Sequence, residues 1–199
     1  MSPTRRSFAI IPACGESRRM GTDKLLLPWQ SSTILETVID AWRRSKVDHI
    51  FVVIPQERTD LQRVLQGLPV RIVLADPRPS DMKGSIQLAL KAIEEQCAPS
   101  PADAWLVAPA DMPTLSSKTI DAVLEAAQEH SGSIVVPVNS EKRGHPVLLP
   151  WHVANSVQSL PSDQGINALL NRSPLIFVNG EQLDVDTPAD YRKLRDRKH

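Results

Sequence analysis

Short apolar runs recur along the chain, and each is followed by a stretch whose apolar positions return every three or four residues. The runs are FAIIPA (8–13), HIFVVIP (49–55), VRIVLA (70–75), AWLVAPA (104–110), SIVVPV (133–138), HPVLLP (145–150) and a weaker LIFVNG (175–180). Their length and β-branched content predict buried strands. Between the first two, Ile34, Leu35, Val38, Ile39 and Trp42 line one face of a helix, and Thr33 with Glu36 forms a capping box at its start. The same periodicity predicts helices over 57–66, 84–96, 117–129, 151–159 and 164–171, with a last one from Pro188. Strands alternating with helices predict an α/β fold, with crossover helices around a mostly parallel sheet. No repeat or low-complexity linker interrupts the pattern, and the proline-broken loop CAPSPAD (97–103) is too short to divide domains. The expectation is a single domain over 1–199.

Charge narrows the class. Across 199 residues, 23 Lys and Arg balance 23 Asp and Glu, so no global field points to nucleic acid or an anionic membrane. No run approaches the roughly 18 apolar residues of a membrane span, and the apolar run at the N-terminus is too short for a signal peptide. Cys14 and Cys97 lie far apart and match no metal spacing. Cys14 reads as a small packing residue, and a soluble cytoplasmic protein is the simplest expectation. Any site for a charged ligand must be local.

In open parallel sheets ligands bind beyond the carboxyl ends of the strands, which singles out the loops 14–31, 75–84, 109–116, 139–145 and 184–188. The first of these falls within IIPACGESRRMGTDKLLLPW (10–29) and runs two residues past it. Gly15 and Gly21 admit close backbone approach, successive N–H groups form an anion-binding nest, and Arg18, Arg19 and Lys24 supply charge. Neither G-x-x-x-x-G-K-[ST] nor G-x-G-x-x-G is present. A polyphosphate is the chemistry this loop suits; an ordinary surface loop with solvated cations, Arg18 above all, is the bland alternative.

The stretch resembles the L-A-A-G-x-S-x-R-M-G-x-x-K-x-L-L signature of nucleotidyltransferases that include the molybdenum cofactor cytidylyltransferases. Ala13, Gly15, Ser17, Arg19, Met20, Gly21, Lys24, Leu26 and Leu27 match, while Pro12 and Cys14 depart from it. The resemblance implies a Rossmann-like three-layer α/β/α fold and a loop, from Ala13 and Cys14 to Lys24, that wraps a nucleoside triphosphate. Asp111, in LVAPADMPTL, ends a strand and is either a magnesium ligand or a structural cap, although Ser116 and Ser117 are better placed to cap. It resembles the family's G-D-M-P loop, whose aspartate holds the metal, with Ala110 in the glycine's place. In DVDTPADY, Thr187, Pro188 and Asp190 read as a helix start. Asp186 resembles the aspartate that completes the metal site, with Asp184 as support.

DMKGSIQLAL resembles a G-M-x-x-S-L stretch, which implies that Gly84 and Ser85 contact base or ribose; a plain N-cap by Ser85 is the alternative, and Lys83 reaches phosphate or solvent. Arg143 and His145 lie in a segment resembling R-G-H-P-V-L, where His145 shapes a turn rather than acting as a base. Asp163 and Gly165 lie in one resembling G-D-x-G-A-R-x-L-L, with Asn167 in the arginine's place. These four residues are the implied acceptor contacts. The resemblance spans residues 8 to 192.

The implied reaction moves CMP from CTP to a phosphorylated acceptor, molybdopterin above all, with magnesium on Asp111 and Asp186. Arg19 and Lys24 would stabilise the departing pyrophosphate. GTP and other phosphorylated acceptors remain open. So does a non-catalytic nucleotide-binding protein that delivers molybdenum cofactor, for which the departures at Ala110 and Asn167 speak. A transient contact with a molybdoenzyme or its chaperone is compatible with either.

Overall fold

A computed structural model of the chain describes residues 5–16, 23–139, 142–170, 173–180 and 187–196. In chain order the strands and helices are β1 (Ser7–Pro12), β2 (Pro28–Trp29), β3 (Ser32–Thr33), α1 (Ile34–Arg43), β4 (His49–Pro55), α2 (Thr59–Leu65), β5 (Arg71–Ala75) and α3 (Met82–Cys97). They continue as β6 (Ala104–Val107), α4 (Ser117–Glu129), β7 (Ile134–Asn139), β8 (Lys142–Arg143), β9 (Val147–Pro150), α5 (Ala154–Gln158), β10 (Leu175–Asn179) and α6 (Pro188–Asp196).

The main sheet runs β10-β7-β9-β6-β1-β4-β5, with β8 paired to β7. β1 lies parallel between β4 and β6, and its six residues are all buried. Alternation along β1 sorts the core into two faces. Ala9 and Ile11 pack with Leu35, Val38 and Trp42 of α1, Leu61 and Leu65 of α2, and Ile120 and Val123 of α4. Phe8 and Ile10 pack with Ile86, Ala89 and Ile93 of α3 and Val157 of α5. The result is a three-layer, Rossmann-like α/β/α fold whose sheet is mostly parallel. A third, small cluster of Trp29, Ile34 and Leu194 seats α6 on the β2–β3 hairpin, where the Tyr191 hydroxyl donates to the Pro28 carbonyl at 2.5 Å.

The capping box of α1 forms between Thr33 and Glu36, and α4 spans 117–129 with Ser116 as its cap. Other elements differ from expectation. β9 runs antiparallel to both β6 and β7. Only seven residues connect β7 to β9, whereas a parallel crossover needs a dozen or more. The helix expected over 151–159 opens as a 3₁₀ turn, Trp151–Val153, before α5. The one expected over 164–171 is only a 3₁₀ turn, Ile166–Leu169, whose cap Gly165 has no side chain to satisfy the first amides. Among the described residues no helix is long and apolar enough to cross a membrane.

Candidate active site

The chain winds from β1 outward through β4 to β5, then returns to lay β6 on the other side of β1. That reversal opens a crevice at the carboxyl ends of β1 and β6, the position where open α/β sheets bind ligands. A cavity of about 680 Å³ lies there, walled by Ala13 to Glu16 after β1, Lys24, Arg78 to Met82 after β5, Ser85 of α3, and Pro109 to Asp111 after β6.

Lys24 and Asp111 form an ion pair across the crevice, with 13% and 17% of their side chains exposed. Two local features set them there. Asp23 caps the 3₁₀ turn that carries Lys24, accepting from the Leu25 amide at 3.1 Å, and its carboxylate is gripped by Arg58. Arg58 also pairs with Asp60 at 2.8 Å, a hydrogen bond that pulls the Asp60 carboxyl down to about 2. Asp111 follows Ala110, which is buried and donates its amide to the Pro12 carbonyl at 3.2 Å. The alanine in the glycine's place is thus absorbed into the core.

Cys14 is buried on the cavity floor with its thiol 3.6 Å from the Val53 carbonyl, a packing role as expected. Burial pushes the thiol pKa up, against smaller opposing effects of the Ser85 hydrogen bond and the Arg78 charge. Ser85 lines the cavity but is not the cap of α3: Asp81 is, accepting from the Gly84 amide at 2.8 Å. Gly84 sits behind the cavity wall against Pro79. Lys83 does not line the cavity; its ammonium is buried against the main-chain carbonyls of Pro161, Ser162 and Gln164.

The implied acceptor residues do not line this cavity. His145 places Nδ1 3.2 Å from the Val107 carbonyl at the end of β6, which fits a turn-shaping residue. Arg143 stacks over Phe177, 5.9 Å from the ring centre, while Asp163 and Gly165 lie in the segment that Lys83 holds. Ser17, Arg18, Arg19, Met20, Gly21, Asp184 and Asp186 lie outside the described residues. Thr187 and Asp190 cap each other at the start of α6, Asp190 Oδ2 accepting from the Thr187 amide at 2.9 Å.

Sequence reading missed Arg78, whose guanidinium bridges Glu57 at 2.8 Å and Glu16 at 3.6 Å. Its place in the loop after β5 was the available signal. Of the described carboxylates lining the crevice, Asp81 caps α3 and Glu16 faces Arg78, which leaves Asp111 as the candidate for a divalent ion; no cluster of three or more His, Cys, Asp or Glu residues occurs among the described residues. That donor set fits magnesium, which takes one or two carboxylates and completes its shell with phosphate oxygens and water.

The MobA-like NTP transferase domain matches residues 9–176. A molybdenum cofactor guanylyltransferase of Mesorhizobium japonicum is 34% identical over 150 residues, covering 74% of this chain and 68% of that one. A molybdenum cofactor cytidylyltransferase of Escherichia coli K12 is 26% identical over 200 residues, covering 94% and 95%. Among solved structures, the Rv0371c homologue from Mycobacterium sp. strain JC1 superposes with a TM-score of 0.80 at 25% identity, over 96% of each chain. The manganese complex of Rv0371c from Mycobacterium tuberculosis superposes with a TM-score of 0.75 at 22% identity, over 96% of this chain and 98% of that one.

Proposed function

The chain belongs to the MobA-like NTP transferase family, and on that premise we propose that it transfers CMP from CTP to a phosphorylated acceptor, molybdopterin above all, releasing pyrophosphate. The observation that carries this reading is the Lys24–Asp111 pair astride the β1–β6 crevice. It puts a cation for polyphosphate opposite a carboxylate for a metal, on two loops that a nucleotide would bridge.

An acceptor phosphate oxygen attacks the α-phosphorus in line; the new P–O bond forms as the bond to the β-phosphate oxygen breaks. A phosphate monoester has its second pKa near ~6 and is largely a dianion at neutral pH, so no strong general base is needed. Catalysis then rests on positioning and charge. Gly15 and its neighbours offer main-chain amides to the triphosphate, and Lys24 exchanges Asp111 for the β- and γ-phosphates and follows the charge onto departing pyrophosphate. Arg19 assists by family resemblance. A divalent ion held by Asp111 and Asp186 supplies charge neutralisation at the phosphate oxygens when bound.

The base is the finer point. The relatives are named for both nucleotides, and the Ala13-Cys14 pair, bulkier than two glycines, supports cytidine over guanosine. The test is pyrophosphate release with magnesium and molybdenum-loaded molybdopterin, using CTP, GTP and ATP in parallel. Release with CTP, reduced at least ~100-fold in Asp111→Asn as expected for loss of a group holding transition-state charge, supports the reading. Release with GTP alone reassigns the base, and near-normal turnover in Asp111→Asn overturns the role of the carboxylate.

A further inference from the structure

We propose that Lys83 positions the 161–165 segment beside α3, locking that segment to the helix whose first turn lines the nucleotide cavity. Its role as an acceptor-positioning residue rests on the nucleotidyl-transfer reading above, whereas the anchoring itself does not.

Lys83 is the second residue of α3. Its neighbours Met82 and Ser85 line the cavity, while its own side chain leaves the cavity and is 9% exposed. Nζ donates to the carbonyls of Pro161 at 2.7 Å, Ser162 at 3.3 Å and Gln164 at 3.0 Å. An ammonium has three protons to donate and nothing to accept with, so this cage uses its full capacity. A carbonyl cage is an uncommon home for a buried lysine, because burial of charge is ordinarily offset by a carboxylate. Here neutral dipoles do it, and the benefit runs both ways: three carbonyl oxygens that would repel one another converge on one cation.

Among the described residues the segment has little else to hold it. It belongs to no strand, and its internal bonds are the turn from the Gln164 amide to the Pro161 carbonyl at 3.0 Å and the 3₁₀ turn that follows Gly165. One helical turn beyond Lys83, on the same face of α3, Gln87 Nε2 donates to the Val157 carbonyl at 3.0 Å. Gln158 Nε2 returns a longer bond to the Gln87 carbonyl at 3.4 Å. α3 therefore shows Met82 and Ser85 to the nucleotide and Lys83 and Gln87 to residues 157–164. Asp163 and Gly165, the residues assigned to the acceptor, sit on the part that Lys83 grips.

The test uses Lys83→Ala, which leaves the three carbonyls around a space suited to a small ammonium, with Lys83→Met as a second variant should alanine fail to fold. Hydrogen exchange by mass spectrometry reads the anchor without any turnover. Peptides covering 159–166 should exchange at least tenfold faster in the variant while those of β1 and α4 stay unchanged. Methylammonium should slow them again and tetramethylammonium, which has no proton to donate, should not. In turnover, acceptor KM should rise at least tenfold with nucleotide KM within twofold of wild type, and methylammonium should recover part of the loss. Unchanged exchange over 159–166 overturns the anchor, and an equal rise in both KM values overturns the acceptor assignment. A wild-type protein that accepts no phosphorylated substrate sinks the proposed function, and the exchange result still decides the anchor.

Discussion

Gly84 carries no side chain because Pro79 leaves no room for one: a Cβ built there lies 2.9 Å from the Pro79 Cβ. In an open helix position, alanine for glycine is worth about 1 kcal/mol in stability. Here the obstructing atom belongs to a rigid ring, and overpacking costs typically ~1–3 kcal/mol. Gly84→Ala should therefore be neutral to destabilising by up to about 2 kcal/mol, read by urea unfolding, and a clear gain would show that the loop gives way freely. Next to Pro79 in that loop, Arg78 spans Glu57 and Glu16, and its Nε is buried without a partner among the described residues. Arg78→Ala removes the cation that spans Glu57 and Glu16 beside the crevice proposed to hold polyphosphate. Nucleotide Kd by calorimetry should rise about tenfold, ~1.4 kcal/mol, with Arg78→Lys intermediate because a point charge cannot span both partners. At this scale the sequence was legible where a residue's role is local, as with the Thr33–Glu36 box and the Thr187–Asp190 cap. Lys83 was not, because the carbonyls that hold it come from residues 78 and more positions away. No spacing rule reports a main-chain carbonyl.

The elements around the crevice are pinned at both poles. At the amino pole Asp103, 2% exposed, accepts from the Arg6 amide at 2.8 Å, the Arg6 guanidinium at 2.8 Å and the Ser100 amide at 2.8 Å. That ties the start of β1 to the start of β6. Desolvation works to raise the Asp103 pKa, but the Arg6 and Ser100 amides and the Arg6 guanidinium together outweigh it and hold the carboxyl below its ordinary value. A depressed carboxylate stabilises the fold above its unfolded pKa, about 3.9, and that stability is lost as pH falls through the folded value. Asp103→Asn should cost about 2–4 kcal/mol at pH 7, and the gap to wild type should narrow only below pH ~4. His49 titrates elsewhere. Burial and the Arg71 charge push its pKa down, so protonation opposes folding and wild type should soften as pH falls below the ordinary imidazole value of about 6.5. Urea midpoints at pH 7, 5 and 3 separate the two, and a gap that closes already at pH 5 would refute the Asp103 assignment. Elements with strong periodicity were legible, α1 and α4 above all. The direction of β9 was not, since an apolar run has no polarity and only the short link from β7 decides it.

The whole molecule is wound so that β1 and β6 lie side by side and each carries one half of the site, and a nucleotide in the crevice would bridge loops that the Lys24–Asp111 pair also joins. A ligand that binds only the folded state stabilises it by about 2.7 kcal/mol at 100 times its Kd. For a chain of this size each kcal/mol moves Tm by roughly 2–4 °C, so saturation at that level should raise Tm by roughly 5–11 °C. Arg78→Ala, with its tenfold weaker binding, would sit at only ten times Kd and gain about 1.4 kcal/mol, half the shift. Arg71 provides the contrast. It opens β5 at the opposite pole, lying 5.3 Å over the Phe51 ring and donating to the Cys97 thiol at 2.7 Å. Arg71→Ala should lower the starting Tm and keep the full nucleotide shift. Thermal unfolding of the three proteins with and without CTP, GTP and inorganic phosphate measures this directly. Equal shifts in all three would place the nucleotide outside the crevice, and a shift lost equally in both variants would mean that binding senses global stability rather than the geometry of one pole.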